Sequence, residues 1–389
     1  MGKLIEKDNQ YVANTYARFP IEIAYGKGSC LYSTDGKKYI DMGSGIGVTA
    51  FGICDEEWKD AIIEQLDKVQ HTSNLYYTNP CADLAELLCT RTGMKKVFFS
   101  NSGAESNECA IKVARKYGKL RKGEEYNTII TLKNSFHGRT LATLSATGQD
   151  VFHSQFLPLV DGFVHANAND LESVKELVKN NKVCGIMIEC VQGEGGVIAL
   201  DKPFVQEIEQ ICKENDIVFI VDEVQTGNGR TGQLYAYMNY EVTPDVITTA
   251  KGLGGGLPIG CCMMGEKVKD VLTFGDHGST YGGNPICATG AISVIKRIDD
   301  KLLEKVREKS QYIFTELSNA KGVESVSGMG LMIGIKTTKN AKEVVNKCIE
   351  KGVICLTAKD KVRLLPALNI KEQDLEFAIQ TIKQVCAEE

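Results

Sequence analysis

Short apolar runs alternate with amphipathic stretches up to about residue 295 of the chain. The runs that are short and apolar enough to form buried strands lie at 96–100, 128–132, 184–190, 217–221 and 245–250. The stretches 104–118 and 203–215 carry apolar side chains at helical spacing. Strands that alternate with helices favour an open, mostly parallel sheet with helices on both faces.

The pattern changes after about residue 295, where the spacing of apolar positions predicts a smaller α+β domain. The elements predicted there are a long helix at 301–320, which leads to the segment 323–338, a helix near 341–351, short strands at 353–366 and a final helix near 371–386. Short strand-like pieces also occupy the first 60 residues. The sequence therefore predicts three parts, which are an N-terminal segment 1–60 that joins the small domain, a large domain 61–295 and a small C-terminal domain 296–389.

The composition is that of a globular protein with a large core. The chain has 389 residues, of which 43% are hydrophobic, a length that favours about two domains. The formal net charge is −5 and the 45 basic residues form no arm, so we expect no nucleic-acid partner. The apolar runs are too short to span a bilayer, and the start, MGKLIEKDNQ, resembles neither a secretion signal nor a transit peptide. We therefore expect a cytoplasmic protein with no membrane partner.

The 14 cysteines do not follow the pattern of a disulfide framework. Most of them lie in apolar runs of a long chain, which is typical of reduced cysteines in a core. The chain has no C-x-x-C pair, and its five histidines do not cluster. We therefore expect no metal site.

Three ionisable residues stand where predicted strands end. Glu189 and Asp222 each follow a buried apolar run, and Lys251 stands between another run and the glycines of GLGGG. Because ligands of open α/β sheets bind outside the carboxyl ends of the strands, these side chains are expected to share one crevice if the strands are neighbours. Burial or a cationic neighbour favours the neutral amine of a lysine, the form that attacks carbonyl groups. A lysine that forms an imine, together with an aspartate on a pyridine nitrogen, is typical of pyridoxal phosphate (PLP) enzymes.

Each of these residues also has a simpler interpretation. Glu189 and Asp222 could cap the turns that follow them, and Lys251 could be a solvated surface residue. The segment SNSGAESNE (100–108) adds a second feature of a PLP site, because small residues between a strand and a helix let backbone N–H groups approach a phosphate. Many such turns are rich in serine and glycine, so this segment counts only together with the lysine and the aspartate.

Three glycine-rich segments do not fit nucleotide sites. GNGRTG (227–232) follows a strand, but charged residues intervene and the next segment does not predict a clean helix with a distal acid. GSGIG (43–47) lacks a long strand before it. GLGGGLPIG (252–260) lacks the Gly-Lys-Ser/Thr of a P-loop, and we expect it to form a turn between two strands. A nicotinamide-dependent dehydrogenase is therefore disfavoured.

Seven segments occur in the order found in one enzyme family. They are HTSNLYY, SNSGAESNE, FHGRT, QGEGGV, DEVQTGNGRTG, HGSTYGGNP and VRLLPALNI. On these segments the chain resembles, nearly end to end, the class III aminotransferases of PLP fold type I, and among them the acetylornithine aminotransferases. The resemblance implies an α/β fold in which a large, mostly parallel sheet domain flanked by helices is joined to a small α+β domain.

The resemblance also implies a reaction. It is the PLP-dependent transamination of N-acetylornithine with 2-oxoglutarate to N-acetylglutamate semialdehyde and glutamate, a step of arginine biosynthesis. Relatives that act on succinylornithine, succinyldiaminopimelate, ornithine or 4-aminobutyrate share most of the segments and stay alternatives. A mutase or racemase on the same frame needs no arginine clamp for 2-oxoglutarate, and a binding protein without chemistry needs neither Lys251 nor Asp222. Both of these classes are disfavoured.

The resemblance implies which residues contact the cofactor ring. Lys251 is expected to form the imine, and Asp222 is expected to hold the pyridine nitrogen. Gln225 is expected to reach the phenolic oxygen of the ring, with Phe136 and Val224 on its two faces. Lys251 and Asp222 are therefore the expected catalytic residues.

The resemblance also implies a phosphate site that two subunits share. Ser102, Gly103 and Ala104 are expected to bind the phosphate from one subunit. Thr280, in GSTYGGNP, matches a threonine that the second subunit contributes in this family. A homodimer is therefore part of the expected active site.

Arginines are expected to bind the acceptor, because 2-oxoglutarate has a carboxylate at each end and arginine binds carboxylates through paired hydrogen bonds. Arg363 resembles the family's arginine for the α-carboxylate, and Arg139 resembles the arginine for the second carboxylate. Glu194 matches a glutamate that swings away from the first arginine when the acceptor binds. The other residues expected near the substrate are Tyr16, Asn74 and Ser279.

Overall fold

A seven-stranded sheet forms the centre of the computed structural model, which describes residues 2–388. Its strands and those of the smaller sheets are β1 (Ile23–Lys27), β2 (Cys30–Ser33), β3 (Lys38–Asp41), β4 (Lys96–Ser100), β5 (Thr128–Leu132), β6 (Phe163–Ala166), β7 (Val183–Ile188), β8 (Val191–Gln192), β9 (Ile198–Ala199), β10 (Val218–Asp222), β11 (Val246–Thr249), β12 (Gly260–Met264), β13 (Val323–Met329), β14 (Met332–Thr337), β15 (Val353–Ile354), β16 (Leu356–Ala358) and β17 (Lys361–Leu364). The helices are α1 (Lys3–Tyr11), α2 (Ser44–Gly47), α3 (Glu56–Leu66), α4 (Asn79–Thr92), α5 (Gly103–Arg121), α6 (Leu141–Ala146), α7 (Asp150–His153), α8 (Leu171–Asn180), α9 (Lys202–Glu214), α10 (Tyr237–Tyr240), α11 (Pro285–Arg297), α12 (Asp300–Ser318), α13 (Ala341–Glu350) and α14 (Glu372–Ala387).

The strand order of the large sheet is β4-β12-β11-β10-β7-β5-β6. From β11 to β6 all neighbouring strands are parallel, and β12 runs antiparallel to both β11 and β4. The mostly parallel sheet predicted from the sequence is therefore confirmed.

The predicted strands of this sheet coincide with the observed ones to within a few residues. The runs 96–100 and 128–132 are β4 and β5 with the same bounds, whereas the run 217–221 forms a strand shifted by one residue. The shift has a physical reason, because Asp222 still pairs with Thr248 in the ladder between β10 and β11. The carboxylate thus belongs to the strand and not to the turn that follows.

Helices cover both faces of the large sheet. In β10, Val218 and Ile220 pack into the core that contains α5, whereas Phe219 and Val221 pack into the core that contains α9. α9 begins with Pro203 in its first turn, where the missing N–H costs nothing. Each fully buried apolar side chain of this kind contributes about 1.5–3 kcal/mol, so the strand is held from both sides.

Two four-stranded sheets lie beside the large one, with the orders β1-β2-β3-β15 and β13-β14-β17-β16. In the first, Val353 of β15 pairs in parallel with Ile40 of β3, so residues from the two ends of the chain share a sheet. In the second, Arg363 of β17 pairs with Gly334 of β14. The predicted division of the chain at residues 60 and 295 stays a prediction.

The cysteines and the helices bear on two further expectations from the sequence. All 14 cysteines are free, and most of them are buried. Within residues 2–388, no helix combines the length and the apolar character that a membrane crossing requires.

Candidate active site

A cavity of about 610 Å³ opens where β7, β10 and β11 end. Glu189, Asp222 and Lys251 all line it, so the three residues at predicted strand ends share one crevice. The other predicted site residues on its wall are Tyr16, Ser102, Gly103, Ala104, Phe136, Arg139, Val224 and Gln225. The predicted site residues outside this wall are Asn74, Glu194, Ser279, Thr280 and Arg363.

Lys251 follows β11 and begins a short 3-10 helix, Lys251–Leu253, in the predicted turn between β11 and β12. Its φ of +45° lies in the left-handed region that residues other than glycine rarely adopt. Burial lowers the pKa of its ammonium group below the usual value, and Arg363 adds to this shift against the opposing Glu194 and Asp222. A lowered pKa increases the fraction of the neutral amine, which is the nucleophilic form.

Asp222 is buried at the base of the cavity and is held by three donors from the protein. Its Oδ2 accepts hydrogen bonds from His137 Nδ1 and Asn107 Nδ2, both at 2.8 Å, and its Oδ1 accepts one from Val224 N at 2.9 Å. Asn107 is oriented in turn by Thr248, whose hydroxyl donates to Asn107 Oδ1 at 2.6 Å. Because a carboxylate has about four lone-pair positions, one position on Asp222 stays open toward the cavity.

His137 and Asn107 are functional candidates that the sequence reasoning missed. Burial opposes protonation of His137, but the Asp222 carboxylate outweighs burial and raises the pKa of the imidazole above its usual value. Both residues stand in segments that were already singled out, FHGRT and SNSGAESNE. Their contact with Asp222 had no signal in the sequence, because the three residues lie on separate elements.

Glu189 holds the backbone of a predicted cofactor contact. Its Oε2 accepts the N–H of Phe136 at 2.9 Å. Burial raises the pKa of the Glu189 carboxyl to about 8, and the charge of Asp222 adds to the shift while His137 opposes it. Near neutral pH the folded protein therefore favours the protonated form of Glu189.

The first turn of α5 provides a cradle for an anion. Ser102 is its N-cap, with Oγ accepting from Glu105 N at 3.2 Å, so the first backbone N–H groups of a 19-residue helix reach the cavity. Gly103 is required here, because a Cβ at this position would lie 2.5 Å from Val224 Cγ1. The cradle thus combines free backbone N–H donors with a close approach of the Gly103 backbone to Val224.

Arg363 and Glu194 form an ion pair that touches the cavity wall through Gln225. Arg363 is 3% exposed, and its Nη1 donates to Glu194 Oε1 at 2.5 Å and to Gln225 Oε1 at 3.2 Å. Gln225 Nε2 also donates to Glu194 Oε1 at 3.4 Å. Burial alone would raise the pKa of Glu194, but Arg363 outweighs burial and lowers it. The carboxylate therefore neutralises the arginine in this arrangement.

Arg139 lines the cavity and packs on aromatic rings. Its guanidinium carbon is 4.1 Å from the centroid of Phe152 and 5.5 Å from the centroid of Phe136. Such stacking fixes the plane of the guanidinium while leaving its N–H groups free to bind a carboxylate. The predicted role of Arg139 stays a prediction.

The segment around Thr280 lies at the molecular surface beside the cavity. Thr280 is exposed, and Ser279 Oγ accepts a hydrogen bond from Asn101 Nδ2 at 3.1 Å. Asn74 Nδ2 donates to the carbonyl oxygens of Ser279 and Gly282 at 3.0 and 2.9 Å. Within one chain, Asn74 therefore shapes the 279–282 loop, and the predicted substrate roles of Asn74 and Ser279 stay predictions.

The described residues offer no metal site as an alternative centre. Across residues 2–388, no three His, Cys, Asp or Glu side chains are grouped closely enough to hold a metal ion.

Comparison with known proteins distinguishes between the enzyme classes. The family model for class III aminotransferases matches residues 11–386. The chain belongs to this family. The resemblance to class III aminotransferases, inferred from the seven sequence segments, is therefore confirmed over nearly the whole chain.

Relatives of this aminotransferase match it along nearly its full length. It is 48% identical over 383 residues to the acetylornithine aminotransferase of Haemophilus ducreyi, which covers 98% of each chain. The solved structure of N-acetylornithine aminotransferase from Stenotrophomonas maltophilia is 29% identical, has a TM-score of 0.86 and covers 98% of each chain. A solved structure of the ornithine aminotransferase from Toxoplasma gondii is described with PLP at its active site. It is 28% identical in sequence to this chain and has a TM-score of 0.93, and the match covers 99% of this chain and 94% of the other. The predicted PLP fold type I is confirmed.

The residues on the cavity wall fit PLP, the cofactor of this family. The first turn of α5 provides N–H donors for a phosphate, and the missing side chain of Gly103 lets Val224 pack against that turn. Asp222 keeps an open acceptor position for a protonated ring nitrogen. Lys251, with its lowered pKa, provides an amine for the aldehyde. These three features meet the requirements of the phosphate, the pyridine ring and the carbonyl group in turn.

Proposed function

We propose that this aminotransferase transfers the amino group of N-acetylornithine to 2-oxoglutarate, with PLP as its cofactor. The products are N-acetylglutamate semialdehyde and glutamate, and the reaction is a step of arginine biosynthesis. The observation that carries the proposal is the Arg363–Glu194 ion pair next to Gln225 on the cavity wall. The named relatives from Haemophilus ducreyi and Stenotrophomonas maltophilia support N-acetylornithine as the donor.

The proposed roles follow the positions on the wall. Lys251 would hold the cofactor through Nζ, and Asp222 would accept the hydrogen bond of the ring nitrogen. Phe136 and Val224 would contact the two faces of the ring, and Gln225 would reach its phenolic oxygen. The remaining contacts, from the first turn of α5 to the phosphate, are made by Ser102, Gly103 and Ala104.

Lys251 is the proposed acid–base residue. When bound, PLP supplies an electron-withdrawing ring that stabilises negative charge on the carbon next to the reacting nitrogen. Lys251 Nζ, whose pKa burial lowers, would take the proton from that carbon of the donor and would later deliver a proton to the cofactor side. With the acceptor it moves the proton in the opposite direction. Positioned acid–base transfer of this kind contributes roughly 10²–10⁴-fold in rate.

Arg363 and Glu194 are proposed to sort the two substrates. A donor that presents an aliphatic amine arm leaves the pair closed, so no unpaired cation faces an apolar chain. The acceptor 2-oxoglutarate presents a carboxylate, which replaces Glu194 on Arg363 through two parallel hydrogen bonds. Arg139 binds the carboxylate at the far end, and Tyr16 is a further substrate contact on the cavity wall.

We further propose that two copies of the chain complete the site as a homodimer. Thr280 is exposed and would bind the phosphate of the partner's cofactor. Large apolar side chains are exposed near it in the sequence and on the 74–77 segment, namely Phe274, Tyr281, Leu75, Tyr76 and Tyr77. Exposed apolar side chains in such number mark contact surfaces. The 14 free cysteines support a cytoplasmic location, where thiols stay reduced.

Ornithine is a second candidate donor, because solved ornithine aminotransferases superimpose closely on this chain. The two donors differ at the far amine, which is charged in ornithine and acylated in N-acetylornithine. Succinylornithine, succinyldiaminopimelate and 4-aminobutyrate stay alternatives. A mutase or racemase is disfavoured, because it has no use for the Arg363–Glu194 pair.

The test is a half-reaction followed by absorbance. The protein is loaded with PLP and mixed with each donor in the absence of an acceptor. We expect the yellow band to bleach at the lowest concentration with N-acetylornithine and to return with 2-oxoglutarate. The Lys251→Ala variant should lose this cycle, whereas the exposed-site control Lys301→Ala should keep it. Bleaching at a lower concentration of another donor would identify that donor as the preferred substrate. If no donor bleached the band, the proposed function would be contradicted.

A further inference from the structure

The segment GNGRTG (227–232) is a buried loop that runs on from the cofactor-facing residues 222–225. Asn228, Gly229 and Gly232 have φ values of 58°, 87° and 82°, so the loop is tightly folded. Nothing in the proposed chemistry uses it. Its side chains nevertheless reach two other parts of the site.

Arg230 is a buried cation whose partners are carbonyl oxygens. It is 2% exposed, and its Nη1 donates to the carbonyl oxygens of Pro366 and Leu331, the latter at 3.3 Å. Its own carbonyl accepts the N–H of Leu331 at 2.9 Å. Within residues 2–388 no carboxylate forms an ion pair with it, and burial lowers its pKa to about 10.

The two carbonyl partners flank the strands that carry the substrate arginine. Leu331 directly precedes β14, and Pro366 follows β17. β14 and β17 pair with each other, with Arg363 opposite Gly334. Arg230 therefore ties the ends of both strands to the loop that begins with the cofactor-facing residues.

The other side of the same loop is tied to the lysine. Asn228 Nδ2 donates to Thr249 Oγ1 at 2.9 Å and to the carbonyl of Ala250 at 3.2 Å, directly before Lys251. The loop thus has separate contacts for the lysine and for the arginine strand. The side chains of Asn228 and Arg230 share no hydrogen-bond partner.

Stability alone is a poor reason for a buried guanidinium without a carboxylate. Burying an unpaired charge is costly, and apolar replacements of buried charges are often neutral or stabilising. A fork of N–H donors, however, can fix two backbone segments at once. We infer that Arg230 is a positioning residue that sets Arg363 at the right distance from the cofactor and thereby controls affinity for the acceptor's carboxylate, an inference that rests on the proposed function.

The test compares Arg230→Met and Arg230→Lys with a matched control, Arg91→Met. Arg91 is also an arginine that binds two backbone carbonyls, those of Ile295 and Ile298 at 2.6 and 2.7 Å, but it lies outside the cavity wall. The PLP-loaded proteins are titrated with glutarate, a dicarboxylate without a keto group, and its Kd is read from the absorbance of the cofactor. KM is then measured for 2-oxoglutarate and for N-acetylornithine, together with the melting temperature.

We expect Arg230→Met to raise both the Kd of glutarate and KM for 2-oxoglutarate by about tenfold or more. The reason is that a binding group misplaced by a fraction of an ångström loses its hydrogen bonds. KM for N-acetylornithine and the absorbance maximum should stay near their original values, because the contacts on the lysine side are intact. Arg230→Lys should recover part of the loss. Arg91→Met should lower the melting temperature without changing the ratio of the two KM values.

The outcomes separate this inference from the proposed function. If the unmodified protein binds neither glutarate nor 2-oxoglutarate, the acceptor is wrong and the inference fails with it. If the unmodified protein binds both and Arg230→Met changes the two KM values equally, as the control does, then only the role of Arg230 is overturned. A selective loss for the dicarboxylates, partly restored by lysine, supports it.

Discussion

His137 Nδ1 lies 2.8 Å from Asp222 Oδ2, and both side chains are buried beneath the cavity. Asn107 donates to the same oxygen. Asp222 thus faces the cofactor position as a carboxylate whose orientation is set from below. The His137 Nε2 atom has no hydrogen-bond partner within the described residues, so the ring serves Asp222 alone.

Removing this donor should weaken the hold on the cofactor. Hydrogen bonds to charged groups contribute about 1.5–3 kcal/mol, so His137→Leu should raise the Kd of PLP by roughly ten- to a hundredfold. The reason is that Asp222 is left in an apolar setting with one donor fewer. The Kd is measured by titrating the apoprotein with PLP and following the absorbance.

His137→Asn is the matched variant for this experiment. The amide nitrogen of asparagine can occupy nearly the same position as Nδ1, so most of the affinity should be kept. Equal losses in the leucine and asparagine variants would show that ring packing, and not the hydrogen bond to Asp222, accounts for the effect.

Glu189 should make stability depend on pH. Its carboxyl has a pKa of about 8 in the folded protein because it is buried, compared with 4.5 for an ordinary glutamate. Between these two values the folded state keeps a proton that the unfolded chain releases, so the free energy of unfolding falls as the pH rises. Glu189→Gln, which still accepts the Phe136 N–H, should remove this part of the pH dependence.

The measurement is the melting temperature of both proteins from pH 5 to pH 9. The advantage of the glutamine variant should grow with pH and level off above the pKa of Glu189. The exposed-site control Glu304→Gln should follow the unmodified protein throughout. A constant difference across the range would mean that Glu189 is ionised in the folded protein.

Gly103 should be intolerant of a single methyl group. In the first turn of a helix alanine is conformationally favoured over glycine, so backbone preference alone predicts a gain in stability. The Cβ would instead lie 2.5 Å from Val224 Cγ1, and overpacking of this kind costs about 1–3 kcal/mol. Gly103→Ala should therefore lower both the melting temperature and the affinity for PLP.

A double variant tests whether that contact is the cause. Val224→Ala removes the methyl groups that Gly103→Ala would meet, so the two changes together should cost less than their sum. The Kd of PLP for the single and double variants gives the coupling. Strict additivity would contradict the steric explanation.

Much of the fold could be predicted because strands buried on both faces leave a simple pattern. Three of the five residues in each of β4 and β5 are apolar, and the bounds of both strands were predicted without error. At Asp222 the pattern failed by one residue, because a charged side chain completes the ladder with Thr248. At Asp222 polarity marks neither the end of the buried segment nor the end of the hydrogen-bond ladder.

Candidate site residues could be predicted from the sequence only where the residue type and its position in the chain together indicated a specific chemistry. A lysine between a buried strand and glycines, and an aspartate at a strand end, pointed to the chemistry of PLP. The contacts of His137 with Asp222 and of Arg230 with Pro366 had no local signal, since 85 and 136 positions separate the partners. Such contacts depend on tertiary packing, which no spacing along the chain reports.

Glu194 should control how readily Arg363 binds a free carboxylate. In the structure Glu194 neutralises Arg363 through a 2.5 Å contact, and an incoming carboxylate must replace it. Glu194→Gln keeps the shape and the hydrogen-bonding capacity but removes the competing charge. The Kd of glutarate for the PLP-loaded protein should therefore fall by about three- to tenfold, in line with losing a charged competitor at a partly buried site.

KM for N-acetylornithine should rise, because Arg363 is then left without a counter-charge beside an apolar arm. Glu194→Asp, which keeps the charge on a shorter side chain, should fall between the two. A glutarate Kd that stays constant across all three proteins would mean that Glu194 does not compete for Arg363.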